Sequence, residues 1–220
     1  MESTVILMLD LFGTAVFAAT GAVKGVRRRL DIFGVTVLAC CVGVGGGMIR
    51  DAVLGATPAA ALQHWTYLCC CILIALLIFY TAKYWMHFRN LIQFGDAIGL
   101  GVFTAIGAAK GLQYDVSFIG VILCGVCTAI GGGIIRDVLA REVPVVLKSD
   151  FYATASLIGG IIYYLLHILS LNWFLNFLIT SAVVILLRLM AIRLHLQLPR
   201  VHQKKKYQKH LHLHKEKPHS

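Results

Sequence analysis

Asp10, Lys24, Arg50 and Asp51 return 86 residues later as Asp96, Lys110, Arg136 and Asp137, so four acids and four bases recur at one spacing. Each Arg-Asp pair follows three consecutive glycines, Gly45, Gly46 and Gly47 in the first instance and Gly131, Gly132 and Gly133 in the second. Paired acids and bases inside apolar segments suit ion or solute handling, with carboxylates and carbonyls for cations and guanidinium groups for carboxylates. Their net charge is zero, which leaves both a cation pore and a site for a zwitterion open. Enzyme chemistry is the weaker reading. The repeated residues contain no Ser or Cys nucleophile with a His base, and His64, His87 and His167 have no repeat partner. Asp51 and Asp137 each adjoin an arginine, which favours their ionised, structural form over acid-base work.

These residues belong to a longer duplication. Asp10 to Pro58 aligns without a gap to Asp96 to Pro144, with identity at 19 of 49 positions. Internal repeats in apolar chains mark transporter and channel folds, where two copies of a helix group face each other around a shared pathway.

Glycine is about 1 kcal/mol worse than alanine per helix position, so the triplets are expected to weaken or break the helices that carry them. A broken helix is tolerated in a bilayer only where its freed backbone groups are buried in protein or face water. The triplets are therefore read as pathway elements. Close helix packing by small residues is the plainer alternative, but it does not account for the repeated Arg-Asp pairs. The spacing excludes a dinucleotide fingerprint, and no strand precedes it. Asp10 and Lys24 lie about 40° apart around a helix and roughly 21 Å apart along it, on the broad face that also holds Gly13, Phe17 and Gly21. Each copy thus offers an acid near one mouth and a lysine near the other. Snorkelling of Lys24 and Lys110 to the interface is the bland alternative.

The elements that position these groups must cross a membrane. Apolar residues make up 59% of the 220 and charged residues 14%, against about 45–50% apolar in soluble domains, and mean hydropathy is +0.80. A span needs about 20 mostly apolar residues, and seven such stretches fit: Val5 to Val23, Ile32 to Ile49, Thr66 to Ala82, Leu91 to Ala109, Val116 to Ile135, Phe151 to Leu169 and Trp173 to Ile192. The expected fold is an all-α integral membrane bundle of seven transmembrane helices. Residues 1–90 form a first three-helix repeat, 91–170 a second, 171–195 the seventh helix and 196–220 a basic, His-rich tail. The first stretch lacks a basic leader and contains Asp10, so it is expected to be retained rather than cleaved.

Basic residues concentrate in cytoplasmic loops. Lys24, Arg27, Arg28 and Arg29, then Lys83 and Arg89, then Arg141 and Lys148 fall in loops on one face, and the tail adds Arg200, Lys204, Lys205, Lys206, Lys209, Lys215 and Lys217. The N-terminus is accordingly expected outside and the C-terminus in the cytoplasm of a cell (inner) membrane. An odd number of spans per copy then inverts the second repeat relative to the first. All seven cysteines lie within expected spans, where Cys124-x-x-Cys127 reads as reduced packing residues rather than a redox or zinc motif. The alternating His210, His212 and His214 read as part of a solvated segment touching anionic lipid. No metal site, cofactor or nucleic-acid partner is expected.

The Lys-Gly after the first span, both Gly-Gly-Gly-x-Ile-Arg-Asp runs and Arg141-Glu142-x-Pro144 resemble prokaryotic members of the trimeric intracellular cation channel family, also described as glycine-transporter-like. The resemblance covers about residues 5 to 192. It implies a homotrimer with a monovalent cation pore, permeable to potassium, in each protomer. It further implies a constriction at the glycines of spans two and five, with Lys24, Lys110, Arg50, Asp51, Arg136 and Asp137 along or beside the pathway. Gly21-x-x-x-Gly25 and Gly107-x-x-x-Gly111 suit close helix contacts inside or between protomers. A carrier for a small zwitterion such as glycine is the alternative function.

Overall fold

The computed structural model describes residues 2–85, 90–148 and 151–194. Arg89, His87 and the basic tail 196–220 lie outside the described residues. Ten helices are present among those described: α1 (Glu2–Arg27), α2 (Ile32–Leu54), α3 (Ala60–Gln63), α4 (Thr66–Tyr80), α5 (Ala82–Trp85), α6 (Leu91–Gln113), α7 (Phe118–Leu139), α8 (Val145–Lys148), α9 (Ala153–Ile168) and α10 (Trp173–Arg193). The protein is an all-helical membrane bundle. Five helices, α1, α2, α6, α7 and α10, are long and apolar enough to cross a bilayer. The third and sixth expected spans are shorter, since α4 has 15 residues and α9 has 16. At 1.5 Å per residue each reaches about 22–24 Å, less than the roughly 30 Å hydrocarbon core.

The duplication is visible in the ends of the helices. Asp31 caps α2 by accepting from the Gly34 N–H at 2.7 Å, and its repeat equivalent Ser117 caps α7 through Gly120 at 3.3 Å. The α2 helix stops at Gly55 with φ 68°, and Arg141 repeats that left-handed turn with φ 55° after α7. Gly55 adopts it without a Cβ penalty, whereas Arg141 does not have that freedom.

The two halves pack through matched, reciprocal contacts. Phe17 of α1 and Phe103 of α6 are repeat equivalents, and their buried rings meet edge to face with centroids 5.1 Å apart. Gly46 sits against the carbonyl of Thr128, and Gly132 sits against the carbonyl of Val42, which is the repeat equivalent of Thr128. Gly13 lies under the Phe103 ring as Gly99 lies under that of Phe17. Contacts that exchange partners in this way are the signature of two-fold symmetry.

The glycine triplets correct the expectation of broken helices, because α2 and α7 run continuously through residues 45–47 and 131–133. The cost of glycine in a helix is offset by the approach it permits: a methyl added to Gly131 would lie 3.0 Å from the Gly46 Cα, and one on Gly132 would lie 2.5 Å from the Val42 carbonyl oxygen. Gly21 and Gly25 press on α2 at Leu38 and Val35, and Gly107 and Gly111 press on α7 at Cys124 and Val121. These small-residue pairs therefore work inside the protomer.

Overpacking this crossing should be costly. Gly46→Ala and Gly132→Ala are expected to destabilise by about 1–3 kcal/mol, whereas a methyl on Gly47 meets nothing closer than Arg50 Nη2 at 3.7 Å. Gly47→Ala should leave the midpoint of thermal unfolding in detergent nearly unchanged, and the other two should lower it.

Candidate functional site

The α2–α7 crossing carries both Arg-Asp pairs into the protein interior, where Arg50, Asp51, Arg136, Asp137 and Asp96 are all buried. A buried charge is tolerated only when paired and hydrogen-bonded. Within each half the local solution is the same. Arg50 Nε donates to Asp51 Oδ1 at 2.9 Å, and Arg136 Nε donates to Asp137 Oδ1 at 3.0 Å. The second oxygen of each aspartate accepts the first backbone N–H of the short helix that follows. Ala60 of α3 donates to Asp51 and Val145 of α8 donates to Asp137, both at 2.9 Å.

Beyond that shared core the halves differ. In the second half the Arg136 guanidinium forms a two-pronged salt bridge with Asp96, through Nη1 at 2.5 Å and Nη2 at 3.0 Å, and Nη1 also donates to Thr20 Oγ1 at 3.2 Å. The buried Tyr152 hydroxyl lies over Gly133, and the Arg188 guanidinium lies 4.9 Å from the Tyr152 ring centre. In the first half the equivalent bridge is absent. Asp10 instead accepts from the Tyr67 hydroxyl at 2.7 Å, and Arg50 Nη1 has no hydrogen-bond partner among the described residues although Arg50 is 2% exposed.

The unlatched half opens into a cavity of about 450 Å³, lined among others by Asp10, Arg50, Tyr67, Ile106, Lys110 and His167. That volume falls in the range of about 300–1,000 Å³ typical of small-molecule sites. A second pocket of about 10 Å³, which shares Asp10, Arg50, Ala60 and Tyr67 with it and is bordered also by Thr14, Gly43, Gly47 and Phe103, has room for about one water.

The lysines also break the symmetry. Lys110 Nζ donates to Asp51 at 2.7 Å, but Lys24 Nζ pairs with Glu142 at 2.7 Å rather than with Asp137. Arg28 joins the same carboxylate. The Lys24 hydrogen bond, reinforced by Arg28, holds the Glu142 carboxyl below the ordinary glutamate value.

Of the sequence-derived set, Asp10, Arg50 and Lys110 line the large cavity, Asp51 and Gly47 line the small pocket, and Asp96, Arg136 and Asp137 form the closed cluster. Gly45, Gly46, Gly131 and Gly132 are helix-crossing contacts, with Gly45 against the Ile135 side chain. Tyr67, Tyr152, Thr20 and Arg188 were not singled out from sequence. Arg188 carried a signal, as a charge inside the apolar run of α10. Tyr67 and Tyr152 are related by 85 residues rather than 86, as are Ala60 and Val145, so one residue is lost after Pro144 and the match is invisible at the offset of the main repeat.

A sequence model described as "Glycine transporter" matches the chain twice, over residues 7–83 and 93–168, once in each half. A UPF0126 membrane protein of Vibrio cholerae is 42% identical over 207 residues, covering 90% of this chain and 84% of that protein. The UPF0126 inner membrane protein YadS of Escherichia coli is 38% identical over 197 residues, covering 87% and 93%. Among solved structures, a TRIC trimeric intracellular cation channel orthologue from Rhodobacter sphaeroides superposes with a TM-score of 0.84 at 35% identity, covering 88% of this chain and all of that one. A prokaryotic TRIC channel determined in 0.5 M KCl gives 0.83 at 33% identity, covering 89% and 100%.

Removing one member of the buried bridge should cost more than removing its unlatched counterpart. Asp96→Ala is expected to destabilise by about 3–5 kcal/mol and Asp10→Ala, which loses the Tyr67 hydrogen bond, by about 1.5–3 kcal/mol, as read from thermal unfolding. The Glu142 clamp gives a pH test. A depressed folded-state pKa contributes stability that is present above the ordinary glutamate value of 4.5 and is lost as pH falls through the folded value. The carboxylate is 36% exposed, so its contribution is at most about 1 kcal/mol. Glu142→Gln should remove that fraction at neutral pH and flatten the acid side of the stability profile.

Proposed function

We propose, for a chain that belongs to the family of prokaryotic TRIC channels, that each protomer conducts monovalent cations, potassium among them, along a pathway between its two halves. The observation that carries this reading is the cavity lined by Asp10, Lys110 and Arg50, three of the repeat's own symmetry-matched charges, with the small pocket at Gly47 sharing Asp10 and Arg50 with it. Asp10 draws cations to the mouth, and the carboxylate of Asp51 pairs with both Arg50 and Lys110 beside the path. Gly47 and Gly133 border the pathway, and their neighbours in the triplets hold α2 against α7. This assigns the triplets a mainly packing role and moves the constriction to the Phe17–Phe103 pair and the Arg136–Asp96 bridge.

The excess of Lys and Arg in the loops supports a cytoplasmic C-terminus and an external N-terminus, and three-span copies in that orientation are inverted in the membrane. The cavity then opens outward, and the Arg136–Asp96 bridge closes the cytoplasmic side. The repeats correspond to residues 1–90 and 91–170, with α10 outside both. The solved TRIC channels support assembly as a homotrimer, surrounded by lipid.

A second reading is favoured by one specific observation. Arg50 and Asp10 line the same cavity without bridging each other, an arrangement suited to the carboxylate and ammonium of a small zwitterion such as glycine.

The two readings separate in a planar bilayer under a potassium chloride gradient, with glycine added to one side. Unitary currents reversing towards the potassium equilibrium potential are expected. Silence across a range of voltages from protein shown to be folded would overturn the channel reading and make saturable glycine counterflow the decisive assay.

A further inference from the structure

We infer that the large cavity is a binding site for an organic zwitterion with a bulky apolar side chain, such as a branched or aromatic amino acid. Its carboxylate lies toward Arg50 and Lys110, its ammonium toward Asp10, and its side chain along an apolar wall. The inference deepens the second reading, from which it takes the two charged ends, and does not require that the ligand be carried across.

Size and lining lead to this ligand class. Glycine or a potassium ion needs far less room than about 450 Å³, a volume typical of sites that enclose drug-sized molecules. The polar groups lie together. Asp10, Arg50 and Tyr67 also border the small pocket, and Arg50 and Lys110 meet on one oxygen of Asp51. The larger share of the lining is apolar, with Leu9 from α1, Ile106, Ala109 and Leu112 from α6, and Trp173 and Phe177 from α10. Small-molecule sites have this composition, an apolar body with a few convergent polar groups that orient the ligand. An ion path has no use for it, because an apolar wall offers a cation nothing in place of its hydration shell.

The charges specify both ends of the ligand. Arg50 and Lys110 donate to Asp51 Oδ1 at 2.9 and 2.7 Å, and the other oxygen of Asp51 accepts the Ala60 N–H. Two cations thus share one carboxylate. Arg50 is 2% exposed, and its Nη1 has no hydrogen-bond partner among the described residues; a buried donor left unmatched is costly, and a carboxylate is its strongest partner. Asp10 receives the Tyr67 hydroxyl at 2.7 Å and, since a carboxylate offers about four acceptor sites, retains capacity for an ammonium. With His64 and His167 neutral, Asp10, Asp51, Arg50 and Lys110 sum to zero. A zwitterion preserves that balance, whereas an organic anion or cation would disturb it.

The apolar wall is not a by-product of the duplication. Residues 106, 109, 110 and 113 fall at i, i+3, i+4 and i+7, so one face of α6 presents Ile106 and Ala109 beside Lys110. Trp173 and Phe177 stand about one turn apart on α10, a helix that follows the duplicated segments. A pathway made from two matched halves does not need those rings. A ligand's side chain does.

Isothermal titration calorimetry of the full-length protein in lipid nanodiscs tests the inference, with glycine, leucine, phenylalanine, phenylpropionate and phenethylamine as ligands. A buried methylene is worth about fourfold in affinity, so leucine and phenylalanine should each bind about tenfold or more tightly than glycine. Phenylpropionate lacks the ammonium and phenethylamine the carboxylate, and each should bind about tenfold or more weakly than phenylalanine. Asp10→Asn should weaken phenylalanine by a similar factor and leave phenylpropionate nearly unchanged, and Ala109→Phe, which fills the wall, should erase the advantage of phenylalanine over glycine. The wild-type series decides alone if a variant does not fold. Glycine binding as tightly as phenylalanine, or more so, would overturn the inference and leave the second reading standing. Phenylpropionate or phenethylamine binding as tightly as phenylalanine would mark an unselective apolar crevice and overturn it too. Binding of no zwitterion at all would overturn both, and potassium currents from the same preparation would then leave the channel reading intact.

Discussion

Everything else in this protein depends on how closely α2 and α7 approach. Their crossing is made of backbone against backbone, with Gly46 under the Thr128 carbonyl, Gly132 under that of Val42, and Gly131 against Gly46. In a membrane there is no hydrophobic gain from bringing two apolar helices together, so contact must come from packing and polar interactions, and small residues supply the packing. A helix pair this close carries whatever side chains follow the contact into the centre of the bundle. Here those side chains are Arg50, Asp51, Arg136 and Asp137.

Burying four charges at one crossing sets the second constraint. Each arginine is neutralised first by its own neighbouring aspartate, through Nε, which leaves the terminal nitrogens available for a partner on another helix. The aspartates are held in turn by the first N–H groups of α3 and α8, so the short helices are tied to the charge cluster. The result is a rigid inner pair in each half and a variable outer one. That division explains why the halves agree so closely at Arg-Asp and differ at Asp10 and Asp96.

Much of this was legible in the sequence, and what was missed was missed for identifiable reasons. The duplication, the membrane class and the eight repeated charges follow from spacing and hydropathy. Gly46 and Gly132 were misjudged because glycine weakens an isolated helix and strengthens a crossing, and sequence does not say which helix lies opposite. Tyr67 and Tyr152 escaped because one residue is lost between Pro144 and α8, which shifts the register of all that follows. The partner of Lys24 could not be foreseen from the repeat, since Glu142 stands where the first copy has Ala56. Thr20 looks like any small residue in a span until Arg136 is placed beside it.

The 19 identities in 49 aligned positions also have a thermodynamic meaning. Were the two halves identical and no helix added, exchanging their conformations would regenerate the same molecule turned over, and its two states would be degenerate in free energy. Any preference for one side of the membrane must therefore be written in the positions where the copies disagree, together with α10 and the residues beyond it. Divergence between the copies thus amounts to a setting of direction: differences at single sites, such as Thr20 against Ile106, give polarity to an object that two identical halves would leave without any.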